Sequence, residues 1–175
     1  MELRTEQPED FAAVEALIAE AFRTLPESDH TEHLLVAKLR RSPSFVPALS
    51  ITATAPSAEG RSVIVGHILL TKLQLGARTL LALAPLAVAP DKQRRGIGAA
   101  LVKESVARAR RLGYPGIVVF GHPGYYPRFG FRPAADFGIA VPFDAPSECV
   151  MALECEPGSL AGISGVVRYD AAFGL

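Results

Sequence analysis

The stretch Pro85-Leu86-Ala87-Val88-Ala89-Pro90-Asp91-Lys92-Gln93-Arg94-Arg95-Gly96-Ile97-Gly98-Ala99-Ala100-Leu101 carries most of the information in this chain. An apolar strand ends at Pro90, a polar turn follows, and a helix opens around two glycines. The first turn of a helix has amide N–H groups without intrahelical partners and a partial positive charge, so it accepts phosphate. Gly96 and Gly98 remove the Cβ atoms that would hold a ligand away from the main chain. Lys92, Arg94 and Arg95 add mobile positive charge at the rim. Two common phosphate motifs fail here. A P-loop needs Gly-Lys-Ser/Thr, whereas Ala99, Ala100 and Leu101 follow Gly98. A dinucleotide fingerprint needs a small residue where Leu101 stands, and an acid about 20 residues on, where Gly116 and Ile117 stand.

Upstream, Phe11, Val14, Leu17, Ile18, Ala21 and Phe22 recur at helical spacing, which predicts a helix over 8–23 after a short strand at Leu3 to Thr5. A second helix is expected to start near Asp29, with Glu32 completing a capping box, and to stop before Pro43 and Pro47. Leu49 to Ala53 reads as a strand. Ser62 to Leu75 and Thr79 to Val88 read as an antiparallel hairpin joined at Gly76-Ala77-Arg78. Downstream, Gly96 to Leu112 is helical, Ile117 to Phe120 is a strand buried on both sides, and Gly121 to Pro133 is dense in glycine, proline and aromatics. Two short strands are expected at Ile139 to Val141 and Cys149 to Leu153. This order implies an α+β, or mixed α/β, architecture on a mostly antiparallel sheet with one crossover helix.

With 175 residues, 49% apolar and a formal net charge of +0, the chain is expected to fold as one domain over 1–175 and not to be disordered. A pI near 6.9 supplies no global field for nucleic acid. The charge is nonetheless uneven. Residues 1–40 hold nine acids against four bases, and residues 92–111 hold seven bases against Glu104 alone, a pattern suited to a small polyanion. The longest apolar run, Leu80 to Ala89, is too short to cross a membrane and is broken by Pro85. Met1-Glu2-Leu3-Arg4 is not a secretory leader, and two cysteines make no disulfide framework, so a reducing cytoplasm is expected. No metal site is expected: His30 and His33 share a helix face, but no further ligand accompanies them.

Gln93-Arg94-Arg95-Gly96-Ile97-Gly98 resembles the Q/R-x-x-G-x-G/A signature of the GCN5-related N-acetyltransferase (GNAT) superfamily. Tyr126-Pro127-Arg128-Phe129-Gly130-Phe131 is similar to its Y-x-x-x-G-F segment, and the run Gly121 to Phe131 resembles the YhbS-like branch. The match covers the core motifs over 1–135 and is looser over 136–175. The resemblance implies a GNAT fold whose sheet splays between strands 4 and 5. It implies acetyl-coenzyme A as cosubstrate, its pantetheine arm against Leu86, Ala87 and Val88, and its pyrophosphate on Gln93, Arg94, Arg95, Gly96, Ile97, Gly98 and Ala99. It also implies transfer to a small-molecule or protein amine, with the turn between the first two helices lining the acceptor pocket. Many relatives form homodimers.

Acetyl transfer requires a deprotonated amine, a polarised carbonyl and a protonated leaving thiolate. Backbone amides at Leu86 to Val88 can polarise the carbonyl. Tyr126, at the motif's tyrosine position, is the expected proton donor, with adjacent Tyr125 its competitor. For the base, His122 follows the fifth strand, while His67 lies in the hairpin; a water chain serves equally. Glu27, Asp29, His30 and His33 fall in the acceptor-lining turn. Thr79 to Val88 holds no ionisable side chain, so the fourth-strand glutamate of some relatives has no counterpart. That gap supports an alternative, a non-catalytic acyl-coenzyme A binding or sensing module.

Overall fold

Alternating apolar residues carry the first half of the chain through a four-stranded meander. A computed structural model describes residues 1–175. Strands β1 (Glu2–Thr5), β2 (Phe45–Pro56), β3 (Ser62–Leu75) and β4 (Arg78–Val88) pair antiparallel in that order. The β3–β4 connection is the pair Gly76-Ala77, and Gly76 takes φ 56, the positive value such a tight hairpin turn needs. Helices α1 (Phe11–Phe22) and α2 (Glu32–Leu39) are inserted between β1 and β2. Helix α3 (Ile97–Arg111) then crosses over to β5 (Gly116–Phe120), which lies parallel to β4. Strand β6 (Arg132–Pro133) and strand β8 (Val150–Glu154) complete a seven-stranded sheet of order β1-β2-β3-β4-β5-β8-β6. Strands β7 (Ile139–Ala140) and β9 (Gly165–Val166) pair apart from it.

The sheet separates two layers. Alternate strand residues Ile68, Leu70, Leu81, Leu83, Ile117 and Val119 face α3 and pack with Ile97, Leu101, Val102 and Val106. On the opposite face, Leu69 and Ala87 lie under Val14 and Ile18 of α1 and Val36 and Leu39 of α2. Farther along that face, Leu73, Leu75, Leu80 and Val118 are covered by Ile139, Leu160, Ile163 and Val167. Residues 136–175 therefore supply a wall of the core, although few of them form regular structure.

Three expectations are corrected. Helix α2 begins at Glu32 with Thr31 as its N-cap, because Asp29 uses its carboxylate on the Thr31 N–H (2.9 Å) and hydroxyl (2.6 Å). Glu32 accepts from the Ser28 hydroxyl (2.5 Å), so the anticipated capping box does not form. Strand β2 extends back to Phe45 despite Pro47. The β2–β3 register shifts between Phe45 and Ser50, so Pro47 falls in an irregularity where no ladder donor is needed. In β5, Gly116 to Val119 are buried, but Phe120 is exposed at the strand's open end.

The splay follows from the β4 sequence. Strands β4 and β5 pair only at Leu81↔Ile117, Ala82↔Val118 and Leu83↔Val119. Beyond Leu83 the β3 partner advances by two residues while β4 advances by three, from Leu70↔Leu83 to Ile68↔Leu86. Ala84 and Pro85 form this bulge, which turns the last part of β4 away from β5.

Candidate active site

Leu86, Ala87 and Val88 keep their partners on β3, at Ile68, His67 and Gly66, but have none on the side facing β5. Apart from the Val88 carbonyl, their main-chain donors and acceptors on that side are open to a ligand strand. The side chains divide between the layers: Leu86 and Val88 pack toward α3, and Ala87 is buried under α1. Gln93 closes the strand end by donating from Nε2 to the Val88 carbonyl at 3.3 Å.

Past the turn Pro90–Lys92, Gln93, Arg94, Arg95 and Gly96 are all exposed. Arg94 takes φ 60 and Gly96 φ 82, which bend the loop into a concave run of amides leading into α3. The first amide of the helix to bond back along it is that of Ala100, to Gly96 O at 2.9 Å. The N–H groups of Ile97, Gly98 and Ala99 thus point out of the helix start. Arg94 and Arg95 form no ion pair, whereas Lys92 is engaged by Asp91 at 2.8 Å. Ile97 contributes only its backbone here, because its side chain is sealed in the core beneath α3.

Tyr126 sits at the opposite lip. Its ring lies against Gly121, immediately after β5, and meets Phe131 edge-on at 5.5 Å between centroids and Tyr125 at 5.1 Å. The residue is 8% exposed. Its hydroxyl has no hydrogen-bond partner, yet it is not one of the sealed, unpaired polar atoms. Burial, with a smaller contribution from Tyr125, raises its pKa, so the phenol stays protonated throughout the neutral range. Tyr125 reaches instead toward α3, with its hydroxyl beside Gly98.

The histidines separate clearly. His122 is exposed, and its Nδ1 accepts the Gly124 N–H at 3.0 Å, which ties the ring to its own turn. His67 is fully buried, across from Ala87 on the α1 side of the sheet. In the turn between α1 and α2, His30 faces the Phe22 carbonyl through Nδ1 at 3.0 Å, and Glu27 and Asp29 are exposed.

A buried polar network around Glu6 has no signature in the sequence. Glu6 receives Arg40 at 2.6 Å and the Ser50 hydroxyl at 2.6 Å, and Arg40 also bonds Glu15 at 2.5 Å. Ser50 Oγ lies 3.0 Å from His67 Nε2, so with its proton donated to Glu6 it accepts from the ring. Burial alone would raise the Glu6 pKa, but His67, 3.6 Å away, and the hydrogen bonds from Arg40 and Ser50 reverse this and hold it at about 2. Burial pushes His67 down against the pull of Glu6. The state this favours is an ionised Glu6 with a neutral His67, because Arg40 supplies a permanent charge. A group with a depressed pKa supports the fold above its unfolded pKa and loses that support as pH falls. Stability is therefore expected to decline first below about 6.5, as unfolded chains protonate His67, and again from about 4.5 toward 2 through Glu6. Urea midpoints measured between pH 8 and 3 check this; a flat profile would refute it.

No group of three or more His, Cys, Asp or Glu side chains is placed to hold a metal, and both cysteines are free. No helix is long and apolar enough to cross a membrane.

The sequence profile of the acetyltransferase (GNAT) domain matches residues 57–133, which span the hairpin, the splay, the cradle and Tyr126. The Escherichia coli K12 protein YjhQ, an uncharacterised N-acetyltransferase, is 38% identical over 138 residues, covering 73% of this chain and 74% of that one. The chain belongs to the GNAT family. E. coli YhbS, also an uncharacterised N-acetyltransferase, is 29% identical over 99% of this chain and 98% of its own length. The crystal structure of YhbS in complex with CoA superposes with a TM-score of 0.87 at 27% identity, covering 99% of this chain and 92% of that one. A GNAT acetyltransferase from Brucella melitensis in complex with acetyl-CoA gives 0.78 at 30% identity, with 98% and 97% covered. The mixed sheet and its flanking helices are the GNAT fold.

Proposed function

We propose that this GNAT protein transfers an acetyl group from acetyl-CoA directly to an amine. The observation that carries this reading is the one-sided edge at Leu86 to Val88, which leads into the amide cradle and unpaired arginines at Arg94 to Ala99. An extended amide-bearing arm can pair with that edge while a diphosphate rests on the helix start. Structures of two relatives with CoA or acetyl-CoA support the same ligand.

In the proposed step the amine nitrogen attacks the thioester carbonyl, forming the C–N bond, and the C–S bond breaks. Open backbone N–H groups in the stretch Leu86 to Val88, just past the β4 bulge, polarise the carbonyl oxygen. Tyr126 presents its hydroxyl to the departing thiolate, supplies its proton and takes one back from water afterwards. The proton released by the amine leaves through water at the mouth of the cleft. That route is favoured because β4 has no ionisable side chain from Thr79 to Val88, His67 is sealed and His122 Nδ1 is engaged. The two free cysteines suit a reducing, cytoplasmic setting.

Calorimetry of the purified protein with CoA is expected to give a saturable isotherm, and thiol release from acetyl-CoA is expected to rise with at least one member of an amine panel. No heat with CoA or acetyl-CoA would overturn the reading. Binding without turnover on any amine would instead identify a non-catalytic acyl-CoA module.

A further inference from the structure

Gly98 is small for a reason that the sequence conceals. A Cβ built on it would lie 2.7 Å from Tyr125 Oη and 3.6 Å from Val88 Cγ2. The space beside the first turn of α3 is thus already occupied, by a phenol hydroxyl that reaches over from the segment after β5. The next Tyr125 atom, Cζ, is 3.8 Å from that position, an ordinary contact. The hydroxyl alone is what a side chain at 98 would displace.

Tyr125 is firmly held. Its N–H donates to the His122 carbonyl at 3.0 Å, and its ring meets Tyr126 and Phe129 edge-on at 5.1 and 5.4 Å. The Arg128 guanidinium stacks 4.8 Å from the ring centroid, while its Nε donates to the Tyr125 carbonyl at 2.9 Å. These contacts fix the ring at both edges and leave the hydroxyl as its only free polar atom. That hydroxyl has no protein partner and is not sealed from solvent. A rigid, unpartnered O–H beside the outward N–H groups of Ile97, Gly98 and Ala99 adds a side-chain donor to an amide cradle built for an anion.

We propose that Tyr125 is a cofactor-binding residue whose hydroxyl donates a hydrogen bond to the diphosphate of CoA at the α3 N-terminus. This rests on the acyl-CoA reading above and divides the tyrosine pair: Tyr125 holds the carrier, and Tyr126 serves the leaving sulfur. Gly98 then acts through Tyr125, because any Cβ there pushes the donor off its position.

Calorimetry with CoA on Tyr125→Phe, Gly98→Ala and the double variant tests this. A hydrogen bond to a charged group corresponds to a loss of roughly tenfold to a hundredfold in affinity for Tyr125→Phe. Gly98→Ala is expected to lose a similar factor. The double variant should bind no worse than the weaker single one, since both changes remove the same bond and phenylalanine relieves the 2.7 Å clash. In phosphorus NMR of bound CoA, Tyr125→Phe should move the diphosphate resonances and leave the 3′-phosphate in place. Unchanged affinity in Tyr125→Phe, additive losses in the double variant, or a shift confined to the 3′-phosphate would each overturn the assignment. A wild type that fails to bind CoA would instead sink the parent reading.

Discussion

Gly96→Asp is expected to weaken CoA binding by at least a hundredfold while leaving the fold intact. Nothing lies within 4 Å of a Cβ at this position, so the side chain has room. The φ of 82 falls where aspartate is tolerated among non-glycine residues, so the backbone cost is about 1–2 kcal/mol. The loss lies in charge and bulk. A carboxylate at the head of α3 sits where the outward amides and the free Arg94 and Arg95 would meet a diphosphate. Two like charges about 4 Å apart repel by about 1–4 kcal/mol between bulk water and a protein surface, and the same carboxylate competes for the amides. Gly98→Val is expected to fail as strongly by a different route, since it displaces Tyr125 and crowds Val88. Calorimetry with CoA beside a thermal melt checks both variants. Wild-type affinity in both would remove the cradle assignment.

Tyr126→Phe is expected to lower kcat by about a hundredfold to ten-thousandfold, the range of general acid–base assistance. The KM for acetyl-CoA should change by less than about threefold, because the hydroxyl acts on the leaving group and not on the carrier. The substitution separates chemistry from packing. Phenylalanine keeps the edge-on contacts with Phe131 and Tyr125 and the cover over Gly121, and the lost hydroxyl has no intramolecular bond to break. Urea stability should therefore stay within about 0.5 kcal/mol. Because burial raises the phenol's pKa, no loss of activity from this group is expected on the alkaline side below pH 10. The measurement is steady-state thiol release with the acceptor found in the amine panel. An unchanged kcat would pass the proton to another donor.

The strand–turn–helix at Leu86 to Leu101 could be read directly from its residues. Its ingredients are local: an apolar run, a proline, a turn of charges and two glycines, each with a preference that needs no distant partner. The bulge at Ala84-Pro85 also has a local cause, since a residue without an amide hydrogen sits where the ladder is interrupted. The start of α2 was less legible. Asp29, Ser28, Thr31 and Glu32 can hydrogen-bond one another in more than one pattern, and the energies separating those patterns are small. In the last forty residues the two short strands at Ile139 and Val150 were legible, but the rest resists reading because its apolar groups are irregularly spaced. Leu160, Ile163 and Val167 are buried by their position over β3 and β4, not by any helical or strand period.

Spacing along the chain was enough to locate the strand–turn–helix, the crossover helix and the hairpin, because those features arise from contacts between near neighbours, whereas the tyrosine pair was singled out by its resemblance to the family's Y-x-x-x-G-F segment. It could not show that Glu6, Arg40, Ser50 and His67 share one buried network, since they come from four separate elements brought together by packing. Nor could it show where each tyrosine of the pair points. Tyr125 and Tyr126 are adjacent, and only the way the segment after β5 folds back sends one hydroxyl to Gly98 and leaves the other ring against Gly121. Local preference fixes where the chain turns. Direction across the cleft is decided by side chains meeting over long sequence separations, which no single stretch encodes.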